Sequence, residues 1–107
     1  MERTVDNKIS FMGANLVAQQ LDWNMTEGWN QGDTAANNWY RPIETFEERF
    51  DAFVQSAVDS GFDTVDVWHP QLSWQWATDE HIAAAQRMLA KHGVTVASYG
   101  ANYGDTV

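Results

Sequence analysis

Ser60-Gly-Phe-Asp-Thr-Val-Asp-Val-Trp-His-Pro70 is the stretch that decides how this chain is read. Gly61 closes a helical pattern, a β-rich run follows, and Trp68, His69 and Pro70 end it. Successive side chains of a strand face opposite ways, so Val65 and Val67 share one face and Thr64, Asp66 and Trp68 the other. Pro70 biases His69 towards extended backbone and has no N–H for a sheet ladder, so the strand is expected to stop there. A buried strand that ends in an aromatic residue, a histidine and a break puts polar groups at a strand C-terminus. That is where α/β proteins keep their sites.

Helical patterns flank this strand on both sides. Upstream, Thr45 and Glu48 have the spacing of a capping box, and Phe46, Phe50, Phe53, Val54, Ala57 and Val58 fall on one stripe at helical period. The spacing predicts a core-packed helix over Thr45 to Ser60, ended by Gly61 in the left-handed conformation. Downstream, Thr78 is the expected cap of a second helix, with Asp79 and Glu80 at the positive end of its dipole and Lys91 and His92 at the negative end. Gly93 ends that helix, and Val94 to Tyr99 reads as a further strand. Lys8 to Met12 reads as a first strand, followed at once by Gly13-Ala14-Asn15. The expected order is strand, helix, strand, helix, strand.

Between Asn15 and Glu44 no long periodic segment is visible beyond one helical turn over Leu16 to Leu21. Gly28, Gly32, Asn37, Asn38 and Pro42 punctuate the rest. Trp23, Trp29, Trp39 and Tyr40 are not the residues of a solvated linker, so a loop packed over the body is expected. Gly61 and Gly93 lie 32 residues apart, a natural length for one repeating strand–helix unit. The helix-to-strand turns are tight and the strand-to-helix connections long. All six tryptophans therefore map to one rim of the sheet.

Composition bounds the function classes. With 107 residues the chain holds one small domain, and 44% apolar content allows a core. Fifteen acids against six bases give a net charge of −9, with no basic run, which argues against nucleic acid or an anionic membrane as partner. No cysteine is present, so disulfides and thiolate chemistry are excluded. No apolar signal region opens the chain and no run approaches spanning length; a cytoplasmic protein is the expectation. Gly13, Gly28 and Gly32 do not form a dinucleotide fingerprint, and no phosphate-loop lysine motif occurs.

Three segments carry a resemblance: Gly61-Phe-Asp-Thr-Val-Asp-Val67, Thr78-Asp-Glu-His-Ile-Ala-Ala-Ala85 and Lys91-His-Gly-Val-Thr-Val-Ala-Ser-Tyr99. Together with Asn24-Met-Thr-Glu-Gly-Trp29 and Thr45-Phe-Glu-Glu-Arg-Phe50 they resemble the sugar phosphate isomerase/epimerase family of xylose-isomerase-like (β/α)8 barrels. The resemblance implies a partial barrel, β-α-β-α-β with parallel strands, over residues 1–107. A whole barrel takes about 250 residues, so the chain is expected to correspond to its first three-eighths. It also implies a divalent ion (Mn, Mg, Co or Zn) in the full-length parent, held by two glutamates, an aspartate and a histidine of later strands. None is expected to be held by this chain alone.

His69 is the catalytic candidate, either as a proton shuttle or sugar contact, or as a histidine satisfied by neighbouring backbone. Asp66 matches the family's inward carboxylate, one methylene shorter, and either binds a hydroxyl or accepts hydrogen bonds inside the barrel. Trp29, Trp68 and Trp74 are candidates for stacking on a pyranose, with loop packing as the alternative for each. Tyr99 and Asn15 sit at strand ends and are candidate pocket residues. His81 and His92 are expected in solvated or helix-end roles. The resemblance implies a metal-dependent sugar isomerase or epimerase that moves protons next to a carbonyl. A C-glycoside-cleaving lyase on the same barrel and a non-catalytic carbohydrate-binding or assembly module are the alternatives. The expected partner is a small sugar, with self-association through open sheet edges as a further possibility.

Overall fold

The computed structural model describes residues 10–17, 21, 23–24 and 26–100. Strands β1 (Phe11–Met12), β2 (Thr64–Trp68) and β3 (Thr95–Gly100) form one parallel sheet in the order β1-β2-β3. Three helices accompany it: α1 (Trp29–Tyr40), α2 (Ile43–Asp59) and α3 (Asp79–His92). Short 3₁₀ turns follow the first two strands at Gly13–Leu16 and His69–Gln71. The chain is thus mixed α/β with a three-stranded parallel sheet. Lys8 and Ile9, expected in the first strand, lie outside the described residues. No helix among the described residues is long and apolar enough to cross a membrane.

Both expected helix stops are present for the expected reason. At the end of α2, Gly61 takes φ 89°, and the N–H groups of Gly61 and Phe62 donate to the carbonyls of Val58 and Ala57 at 2.9 Å each. At the end of α3, Gly93 takes φ 65° while its own N–H and that of Val94 donate to Ala90 and Leu89. Each stop caps free carbonyls and turns the chain straight into a strand.

The start of α2 differs from expectation. The helix begins at Ile43, directly after Pro42, and Thr45 makes no capping bond; its hydroxyl is buried without a partner. Proline needs no N–H partner and its fixed φ suits a helix entrance, so Pro42 sets the boundary ahead of the side-chain signal. At α3 the capping residue is Thr78, as expected, but the reciprocal partner is His81.

The core lies between the sheet and two helices. Phe46, Phe50, Phe53, Val54 and Ala57 of α2 pack with Ala84 and Ala85 of α3 against Val65 and Val67 of β2. All are at most 3% exposed, so burial of each phenylalanine contributes about 2–3 kcal/mol. Met88 and Leu89 complete the α3 face, whereas Ile82 is exposed. On the opposite face of β2, Asp66 and Trp68 are half-buried and Thr64 is buried.

β3 is exposed along its whole length and carries a bulge at Ala97: Val65 pairs with Val96, whereas Asp66 pairs with Ser98. The extra residue resets the alternation of the last half of the strand. Ser98 thereby falls beside Asp66, and Tyr99 beside Val67.

Candidate functional site

The stretch expected as a loop over the body contains helix α1, and α1 builds the site. Gly32, Asn37 and Asn38 have weak helix propensity, but Trp29, Gly32, Asp33, Ala36, Asn37 and Tyr40 recur at helical spacing on one side. That side docks along the segment that leaves β2. Trp29 meets Trp68, Asp33 meets His69, Asn37 meets Trp76 and Tyr40 meets Gln71. Just past the helix, the Arg41 carbonyl meets His81. Four contacts at successive turns make α1 a brace laid along the C-terminal end of β2.

At one end of the brace is a corner of aromatic rings beside a histidine–carboxylate pair. The Trp29 and Trp68 rings are 6.0 Å apart and nearly perpendicular, at 78°. Trp68 in turn sits edge-on to His69, with centroids 6.2 Å apart. His69 Nε2 lies 3.2 Å from Asp33 Oδ1, with the imidazole side chain 10% exposed and the carboxylate 38%. The partner of His69 is therefore an acid from another element, not neighbouring backbone. Trp29 is 62% exposed and offers its indole to solvent.

Gln71 holds this corner in place. It is 1% exposed; its Oε1 accepts the Trp68 N–H at 3.0 Å and its Nε2 donates to the Tyr40 hydroxyl at 3.3 Å. One amide thus ties the end of β2 to the end of α1. Gly13, at the end of β1, packs so closely on this amide that a Cβ there would collide with it.

The other candidates are placed differently. Asp66 accepts a hydrogen bond from Ser98 Oγ at 2.8 Å, a partner that the β3 bulge supplies. Tyr99 donates its hydroxyl to the Leu72 carbonyl at 2.7 Å, so it braces the β2–α3 connection from the Val67 side. Trp74 is 60% exposed and, among the described residues, makes no ring contact with the corner. Asn15 lies in the 3₁₀ turn after β1, and its side chain is outside the described residues.

Sequence reasoning missed Asp33 and Gln71. A signal for Asp33 existed in the four-residue spacing of Trp29, Asp33 and Asn37. Gln71 carries none, because Tyr40 and Gly13, which fix its place besides the nearby Trp68 N–H, lie far away in the chain.

The histidines expected in solvated or helix-end positions are at helix ends, but His81 is not solvated. It is 4% exposed, its Nδ1 accepts the Thr78 N–H at 3.1 Å, and its Nε2 donates to the Arg41 carbonyl at 2.9 Å. Phe46 and Trp76 stand edge-on to its ring, each at 5.0 Å. His92 Nε2 is 2.6 Å from Asp51 Oδ1. That hydrogen bond, with the Lys91 ammonium beside it, holds the Asp51 carboxyl below its ordinary range.

A shallow depression of about 680 Å³ lies where α2 and α3 begin, between Arg41–Glu44 and Thr78–His81. Its acids, Glu44, Asp79 and Glu80, sit in the first turns of their helices, where carboxylates complement the dipole. That role explains them, and the Trp29–Trp68–His69–Asp33 corner remains the better candidate for chemistry. No three histidine, aspartate or glutamate side chains among the described residues come close enough to hold a metal. No family model, curated protein or solved structure matches the chain.

Proposed function

We propose that the chain forms the sugar-facing rim of a (β/α)8 barrel of the sugar phosphate isomerase/epimerase kind. The observation that carries the reading is the corner of Trp29 and Trp68 beside the His69–Asp33 pair, at the C-terminal end of a parallel strand. Flat indole faces match the C–H faces of a pyranose, and a histidine–carboxylate pair binds a hydroxyl and can move its proton. The barrel part of the reading is supported by strands paired in chain order and by α2 and α3 sharing one core against Val65 and Val67.

In this reading Trp29 and Trp68 orient the sugar, Asp33 holds the His69 ring, and His69 accepts a hydroxyl proton. The divalent ion expected in the parent barrel has no set of ligands among the described residues, and no step is assigned to it.

This chain alone is expected to be inactive, so the test uses the full-length parent barrel: steady-state turnover beside a thermal melt for wild type, His69→Ala and His69→Asn, with sugar binding measured for Trp29→Ala. Loss of a general acid–base group is expected to lower turnover on the order of 100-fold or more. Loss of the exposed indole is expected to weaken binding by about 1 kcal/mol, with little change in melting. Unchanged turnover in both His69 variants, with weakened binding in Trp29→Ala, would leave a sugar-binding rim and refute the catalytic role.

A further inference from the structure

We propose that Gln71 is a positioning residue of this rim: gripped by Tyr40, its amide sets where Trp68 and His69 stand relative to α1. The inference rests on the carbohydrate reading of the corner and deepens it by naming what assembles the site.

The corner is built in two halves. β2 and the turn after it supply Trp68 and His69, and α1 supplies Trp29 and Asp33. The halves are far apart in the chain, so their fit depends on contacts between α1 and the segment that leaves β2. Among these, the Gln71 amide is the one that grips the Trp68 backbone. The Trp68 N–H can only donate, so the amide oxygen must face it and the NH2 group must face the Tyr40 hydroxyl. The bond from Trp68 to Gln71 spans three residues and closes a ring around His69 and Pro70. Pro70 is fully buried and rigid about φ. His69 is thus held between a fixed proline and a side chain that loops back to the residue before it.

The far anchor is fixed by the core. Tyr40 is 1% exposed and stands edge-on to Phe46 of α2, with ring centroids 6.4 Å apart. On a third side, Met12 is the last paired residue of β1, and Gly13, the next, packs against the amide. Three elements thus converge on one side chain, and that side chain reaches the corner at the Trp68 backbone. Small shifts there have large effects. His69 Nε2 and Asp33 Oδ1 are 3.2 Å apart, at the long end of N–H···O hydrogen bonds, so a slip of about 1 Å would part them. A misplacement of about 1 Å can cost on the order of 100-fold in rate, even when its cause is far from the reacting atoms.

The experiment reads the corner itself and then turnover. Two indoles 6.0 Å apart at 78° couple as excitons, so a circular-dichroism couplet is expected that disappears in Trp29→Phe and in Trp68→Phe. Gln71→Met keeps the side-chain volume and removes both hydrogen bonds, whereas Tyr40→Phe removes only the far one. The couplet is expected to be lost in the first and weakened in the second, at temperatures where helix content equals that of wild type. Val54→Ala, among the buried core residues of α2, is the control for lost stability and should keep the couplet. In the full-length parent barrel, Gln71→Met should lower kcat on the order of 10- to 100-fold and move KM far less. Val54→Ala should leave the turnover of folded enzyme near wild type. A wild-type couplet in both Gln71→Met and Tyr40→Phe, or its equal loss in Val54→Ala, overturns the inference. So does a parent in which His69→Ala loses turnover and Gln71→Met keeps it. A couplet lost in Gln71→Met beside full turnover in His69→Ala supports the positioning role and refutes the proton-transfer reading instead.

Discussion

Replacing Gly13 with alanine tests the tie that holds the site together. The backbone at Gly13 is not left-handed, unlike that at Gly28, Gly61 and Gly93, so alanine meets no conformational penalty there. The obstacle is space. A Cβ at Gly13 would fall on the Gln71 amide, 2.5 Å from Cδ and 2.9 Å from Nε2. A flexible side chain could usually swing aside, but Gln71 is 1% exposed and bonded at both ends, to the Trp68 N–H and the Tyr40 hydroxyl. Moving it gives up two hydrogen bonds worth about 1 kcal/mol each and leaves a half-buried N–H to be satisfied. If the amide stays, overpacking costs about 1–3 kcal/mol instead. The expected destabilisation is about 2–4 kcal/mol, or roughly 10–30 °C in melting temperature for a domain this small. The assay is urea and thermal unfolding by circular dichroism at one protein concentration, for Gly13→Ala, Gln71→Ala and the double variant. Once Gln71 is truncated the space is open, so Gly13→Ala in that background should cost less than about 0.5 kcal/mol. An equal cost of Gly13→Ala in both backgrounds would refute the steric argument.

Four further outcomes follow from named contacts. His81→Ala should cost about 3 kcal/mol in denaturant unfolding, since it removes a cap, orphans the Arg41 carbonyl and empties the space beside Phe46 and Trp76. His81→Gln should recover part of this, because glutamine also completes a capping box; a cost under about 1 kcal/mol for alanine would show the ring to be dispensable. Thr45→Val should stabilise by about 1 kcal/mol, because the Thr45 hydroxyl is buried without a partner, and a loss of stability would point to a bond that valine cannot make. Asp51 has a lowered pKa, chiefly through its hydrogen bond to His92, so its contribution is full above the ordinary value of 3.8 and fades as pH falls through the depressed one. Asp51→Asn should therefore flatten the fall of stability below that pH, and an unchanged acid limb would remove Asp51 from its cause. The exposed, uncharged β3 should drive concentration-dependent self-association in sedimentation, weakened by Ala97→Lys; a monomer at every concentration would rule it out.

Much of the fold is legible in local chemistry. Gly61 and Gly93 end helices because only a residue without Cβ adopts the left-handed turn cheaply, and both helix stops are found where the pattern puts them. The phenylalanine stripe of α2 and the Thr78 cap likewise depend on residues within a turn or two of each other. The alternation of β2 correctly separates Val65 and Val67 from Asp66 and Trp68. It also brings Trp68 and His69 to the strand end.

The candidate site was legible only in half. Trp29, Trp68 and His69 are visible as types at suggestive places, whereas Asp33, Gln71 and the burial of His81 are not. Tertiary structure decided α1, because a segment with Gly32, Asn37 and Asn38 is a weak helix alone and gains its stability by docking on the chain after β2. It also decided the β3 bulge, which hands Ser98 to Asp66 and takes Tyr99 to the other face. Periodicity and capping act over a few residues, and those the sequence carries by itself. The histidine–carboxylate pair joins residues that are distant in the chain, and only the packing of α1 against the end of β2 brings them within 3.2 Å.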